Sequence, residues 1–190
     1  MSQNTTATQP RTVQTADRGK LDVRALVLLA ILLAAGFILN FTVGKAISGI
    51  SGGMISPEFI ISAFCLTILV IRPNVGQALV IGLISAAVIQ LTTTSPFIDF
   101  AAEGISAVVM ALIVRAGMRG AAAKVTPLLG TFVTTLLSGV IFMLIKMAMV
   151  GAAAELAAAM LPVVFATAVF NAILVQALYL PIKKALKIEE

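Results

Sequence analysis

RALVLLAILLAAGFILNF, residues 24–41, runs from a single charge at Arg24 through an unbroken apolar stretch to Asn40 and Phe41. A run of this length with no internal charge reads as a bilayer-crossing helix, because about 18–20 apolar residues at about 1.5 Å each match the hydrocarbon thickness. The same texture recurs along the chain. Of 190 residues 60% are hydrophobic and 11% charged, and the mean hydropathy is +1.10. Those values exclude a soluble domain. Dense Leu, Ile, Val and Ala without alternating polar residues exclude an outer-membrane barrel. The expected fold is an all-α integral membrane protein.

Apolar periodicity and turn chemistry predict a bundle of six transmembrane helices over 23–44, 57–71, 75–93, 101–116, 125–149 and 155–183. Breaks fall at Gly49 to Pro57, Arg72-Pro73-Asn74, Thr94-Ser95-Pro96, Gly117 to Lys124 and Gly151. The second span is short, so it either tilts little or starts below the membrane surface in a protein-lined recess. Residues 1–22 read as a disordered cytoplasmic tail ahead of a transmembrane substrate-binding domain over 23–186. No cleavage pattern closes the first span, so it is not a signal peptide.

The cations decide the orientation. Arg11, Arg18, Lys20, Arg24, Arg72, Arg115, Arg119, Lys124, Lys183, Lys184 and Lys187 fall on the side of the termini, with only Lys45 and Lys146 on the other. By the positive-inside rule both termini are cytoplasmic, and the net charge of +5 is a topology signal that calls for no nucleic acid. The acids Glu58, Asp99, Glu103 and Glu155 lie at or just inside the outer helix ends, beside Lys45 and Lys146. A charge at membrane depth costs roughly 2.5 kcal/mol or more, so such groups face a cavity, one another, or water at the interface. Lys146, in FMLIKMAMV, either snorkels outward or meets a carboxylate or substrate anion.

Neutral polar residues share this outer half: Asn40, Gln90, Thr93 and its neighbours, and Asn171 inside the sixth span. With Phe41, Phe59 and Phe97 they suit a small zwitterion with an apolar body. GISGGMISPE, residues 49–58, supplies flexible backbone through Gly49, Gly52 and Gly53. Pro57 is expected to open the second helix, with Glu58 in its first turn, where the helix dipole favours a carboxylate. Cys65 is the only cysteine and reads as buried packing, and the absence of histidine removes His-based catalysis and the commonest metal ligand. No metal site and no catalytic residue are expected. Without a Gly-Lys-Ser/Thr phosphate loop the chain is not expected to hydrolyse nucleotide itself.

GGMISPE (52–58), QALVIGLISA (77–86) followed by LTT (91–93), SGVIF (138–142) and the Asn171 region carry a family likeness. On these motifs the chain, over nearly all of residues 24 to 185, resembles the S component of energy-coupling factor (ECF) transporters, in the tryptophan-transporter-like branch. The resemblance implies a substrate-capturing subunit of a bacterial cytoplasmic membrane that binds at the outer face and docks on a transmembrane coupling subunit with two ATPase subunits. Those partners would hydrolyse ATP, and this chain would need no cofactor. It further implies that Ala30 and Ala34, a small-xxx-small pair, face the coupling subunit. The loop from Gly49 to Pro57, and the outer loop from Thr93 to Asp99 with Pro96, would gate the site. Three other readings stay open: a vitamin-specific S component, including a cobalamin type with Cys65 on cobalt; a ligand-free membrane assembly subunit; and an intramembrane enzyme working through paired carboxylates.

Overall fold

The structure, a computed structural model, describes residues 21–93, 95–151 and 153–186, and these are helical throughout apart from short turns. Helix α1 (Val23–Leu39) passes through a π-helical turn (Asn40–Gly44) directly into α2 (Lys45–Ile50). The chain continues with α3 (Phe59–Ile71), α4 (Val75–Ile89), α5 (Ile98–Gly117), a 3-10 turn (Gly120–Lys124), α6 (Thr126–Val150) and α7 (Ala153–Ala185). Local chemistry sets the boundaries. Asp22 caps α1 by accepting the Ala25 N–H at 2.8 Å. Asn74 and Gln77 cap each other's backbone at the start of α4, and Gly151 ends α6 in the left-handed conformation.

Among the described residues four continuous helical stretches are long and apolar enough to cross a membrane: Val23–Ile50, Ile98–Gly117, Thr126–Val150 and Glu155–Ala185. This is the architecture of a multi-pass membrane protein. Helices α3 and α4 are shorter, at 13 and 15 residues. The expected tail over 1–22 lies outside the described residues except for Leu21 and Asp22.

Helix α3 is the axis of the bundle. Twelve of its 13 residues are buried, and it packs on α1, α4, α5, α6 and α7. Being apolar on every side, it is as compatible with lipid as with protein neighbours. Lipid is as apolar as leucine, so what holds α3 inside is close packing between helices. Gly36 of α1 allows one such approach: a Cβ there would stand 2.9 Å from the Phe59 carbonyl oxygen. Gly82 of α4 allows another, where a Cβ would stand 2.6 Å from the Glu103 carbonyl oxygen on α5. Phe59 meets Phe170 of α7 edge to face at 5.9 Å, and Phe132 meets Phe165 across α6 and α7 at 5.8 Å.

Several boundaries differ from the sequence expectation. The first helical stretch reaches Ile50, because the π turn absorbs the Asn40–Gly44 segment without ending it, so Lys45 and Gly49 are helical and not in a loop. Helix α3 starts at Phe59: Glu58 is its N-cap, and Pro57 precedes the helix instead of opening it. The loop is therefore 51–58, and its glycines with positive φ are Gly52 (62°) and Gly53 (84°). Helix α5 starts three residues early, which puts Asp99 inside its first turn.

Candidate functional site

A 13-residue helix is about 20 Å long against a hydrocarbon core of about 30 Å, so α3 stops well short of at least one surface. At its N-terminal end that shortfall forms a recess of about 220 Å³, lined by residues including Asn40, Phe41, Lys45, Ser56, Glu58 and Thr92. The Glu58 side chain makes no capping bond to α3. Asn40, from the π turn of the first helix, caps it instead. Its Oδ1 accepts the Phe59 N–H at 2.8 Å, and its Nδ2 donates to Glu58 Oε2 at 3.4 Å. Single π turns re-aim side chains at functional sites, and here the turn swings an amide onto a neighbouring helix end.

The opposite wall fixes the same backbone. Asn171 Nδ2 of α7 donates to the Glu58 carbonyl at 3.1 Å and to Thr135 Oγ1 of α6 at 3.5 Å. One turn earlier, Thr167 Oγ1 donates to the Ser56 carbonyl at 2.9 Å. Residues 56–59 are thus held from the π turn and from α7, with Thr135 of α6 bracing Asn171, and Glu58 is presented at a fixed height.

Two further carboxyl groups come from one face of α5. Asp99 accepts from Gln90 Nε2 at 3.0 Å, and Gln90 Oε1 accepts the N–H of Phe97 at 3.0 Å. That bond helps hold Phe97 at a φ of 69°, a left-handed conformation unusual for an aromatic residue. One turn on, Glu103 is 3% exposed and its Oε1 accepts from Ser138 Oγ at 2.8 Å, while its Oε2 has no partner. Glu58, Asp99 and Glu103 lie close enough to act on one another electrostatically. Their hydrogen-bond donors named above are neutral: Asn40, Gln90 and Ser138. The two lysines of this half stand over aromatic rings, Lys45 over Phe41 at 4.5 Å and Lys146 over Phe142 at 5.5 Å.

The structure therefore brings Asn40, Lys45, Glu58 and Asn171 together around the foot of the recess, and Gln90, Asp99 and Glu103 beside it. Thr93 closes the turn before α5, its Oγ1 accepting the Ser95 N–H at 3.2 Å, and Pro96 is exposed in the same turn. Lys146 stands over its own ring and joins neither set. Among the described residues no group of three His, Cys, Asp or Glu is arranged to hold a metal ion. Cys65 is 0% exposed in mid-α3, which leaves the cobalamin reading without a reachable thiol. A membrane-permeant maleimide is expected to leave Cys65 unmodified in the folded protein and to label it after denaturation, as intact mass would report.

Sequence reading passed over Ser56, Thr135 and Thr167 as site-building groups. A signal was present in α6: Thr131, Thr134, Thr135 and Ser138 recur at helical spacing and are all buried. A stripe of small hydroxyl side chains in an apolar helix marks the face turned toward other helices.

Comparison with known proteins finds no match: no family model, curated protein or solved structure aligns with this chain.

Proposed function

We propose that the protein is a six-pass receptor of a bacterial cytoplasmic membrane with both termini inside, acting as the substrate-capturing S component of an ECF-type importer. In this reading the recess above Glu58 opens outward and takes a small nutrient carrying an ammonium group, an aromatic amino acid with tryptophan first. A coupling subunit and two ATPase subunits supply the energy for release inside.

The observation that carries the reading is the unmatched acceptor set around Glu58, which lines the recess. Three carboxyl groups converge with neutral donors only, and both Glu103 Oε2 and Asn171 Oδ1 are buried without partners. A buried acceptor without a donor costs about 1–3 kcal/mol, and an ammonium ion supplies the missing donors together with the missing charge. Phe41, which lines the recess, exposes apolar surface that an aromatic ligand body would cover, and Met54 in the 51–58 loop and Phe97 before α5 are further exposed apolar groups. The loop over 51–58 turns at Gly52 and Gly53, whose positive φ values suit a lid that folds back.

The partner face is supported by α1. Only 17% of the apolar window of Val23–Ile50 is buried, against at least 33% in the other three long stretches, and Ala30 and Ala34 are both exposed. Small exposed residues allow another helix to approach closely.

Titrating detergent-purified protein with tryptophan and following heat of binding tests the ligand. A response to tryptophan that weakens at least tenfold in Glu58→Gln is the expected result. A response to a vitamin and to no aromatic amino acid would sink the ligand assignment while keeping the receptor. Replacing Ala30 and Ala34 together by leucine is expected to leave binding unchanged and to abolish uptake and complex assembly in cells. If binding is lost instead, the first helix lines the pocket and the assigned partner face is wrong.

A further inference from the structure

The far end of the bundle holds a second recess, larger than the first, at about 540 Å³ against 220 Å³. It lies between the α3–α4 turn and the last turns of α5. Arg72 comes from the turn, and Arg115 and Arg119 from α5 and the residues just after it. The floor is apolar, made by Ala111, Val114 and Met118, all of them buried. Among the described residues that line it there is no aspartate or glutamate.

Three guanidinium groups around one recess repel one another unless an anion joins them. The positive-inside rule accounts for arginines on this side of a membrane and leaves open why three of them share one cavity. Arg72 also occupies a position that arginine does not favour. It ends α3 with φ 54° and ψ 55°, the left-handed conformation usually given to glycine at a helix C-terminus. A residue held there against its backbone preference points to a role for its side chain.

We infer that this recess is a binding site for the phosphodiester headgroup of an anionic phospholipid. Arginine pairs with phosphate oxygens through two parallel N–H bonds, which gives both charge and orientation. The recess lies where apolar helices end, at the depth of the headgroup layer, and this holds whichever face of the membrane that end occupies. Its floor suits the glycerol and first methylenes of a lipid better than a fully hydrated soluble anion. Val75 and Leu79 in the first turns of α4, and Leu112 on α5, are exposed close to the recess and offer acyl chains an apolar path away from it. Basic pockets between transmembrane helices recognise lipid phosphates by this chemistry. The site is independent of whatever the Glu58 end binds.

Native mass spectrometry of the full chain in neutral detergent, titrated with phosphatidylglycerol, tests it. The wild type is expected to retain one phosphatidylglycerol at ratios where phosphatidylcholine is not retained. Arg72→Gln, Arg115→Gln and Arg119→Gln together are expected to weaken retention on the order of a hundredfold, each basic group contributing about fivefold. Should the triple variant fail to fold, Arg115→Gln alone, on an exposed side chain, is expected to lose about fivefold. Arg24→Gln, outside the recess, is the control and is expected to change nothing. Arg72→Gly adds a separate readout: relief of the left-handed backbone is expected to raise the lipid-free melting temperature while phosphatidylglycerol retention falls. Equal retention of phosphatidylcholine, undiminished retention by the arginine variants, or displacement of the lipid by equimolar glycerol 3-phosphate would each overturn the assignment. The last of these would make the site one for a soluble phosphate.

Discussion

Gly82→Leu is expected to lower the melting temperature of the detergent-purified protein by about 6–12 °C, corresponding to about 3 kcal/mol at the upper end of overpacking costs. A Cβ at Gly82 would stand 2.6 Å from the Glu103 carbonyl oxygen and 2.8 Å from Ala107 Cβ. The first obstacle is helix backbone and the second a methyl fixed to it, so neither has a rotamer to change. The clash is relieved only by moving α4 away from α5. In lipid no hydrophobic term opposes that separation, so parting the helices removes the close packing that held them together. Movement of α5 also carries Glu103 off Ser138, which makes a loss of ligand response the second expected readout. Gly49→Leu is the contrast, because a Cβ there meets nothing within 4 Å, and the change is expected to stay within about 0.5 kcal/mol. A melting temperature for Gly82→Leu within about 2 °C of the wild type, well under the shift that overpacking predicts, would show that the two helices part freely there.

The sequence made the helices legible and their surroundings illegible. Apolar runs and the breakers at Arg72-Pro73-Asn74 and Gly151 mark most ends to within a few residues, because caps and left-handed turns are local chemistry. The end of the first helix was not legible. The apolar pattern ended the first span at 44 and Gly49 read as the start of a break, yet the π turn over Asn40–Gly44 keeps the chain helical and the helix continues to Ile50. Nor was the central position of α3. FIISAFCLTILVI is apolar all round, and a helix wrapped by protein and one wrapped by lipid have the same composition when both environments are apolar. Glu58, Asp99 and Glu103 were legible as costly charges, since an acid near a membrane-spanning run stands out on its own. Their convergence was not, because it depends on how α3 meets α5. The same limit applies to Arg72 and Arg115: each reads singly as an orientation signal, and only the folded turn beside α5 joins them in one recess.

Asn40→Leu is expected to cost about 2 kcal/mol of stability and to abolish the response to ligand. Asn40 does for α3 what an N-cap residue does within one helix, but from another helix. Its Oδ1 takes the Phe59 N–H at 2.8 Å, in the place where Glu58 makes no such bond. Leucine has a similar bulk and no acceptor, so the Phe59 N–H is left in a buried setting without a partner. Glu58 loses its amide donor at the same time and turns more negative surface toward Asp99. The consequence is local before it is global. Hydrogen exchange at the Phe59 amide is expected to accelerate by one to two orders of magnitude, about what a loss of 2 kcal/mol allows, while amides in mid-α3 slow or quicken only with overall stability. Asn171 still donates to the Glu58 carbonyl in the variant, which keeps residues 56–59 on α7 and makes a folded, binding-dead protein the expected product. A Phe59 amide that stays protected in Asn40→Leu would mean that another acceptor caps α3 and that the π turn has no part in building the site.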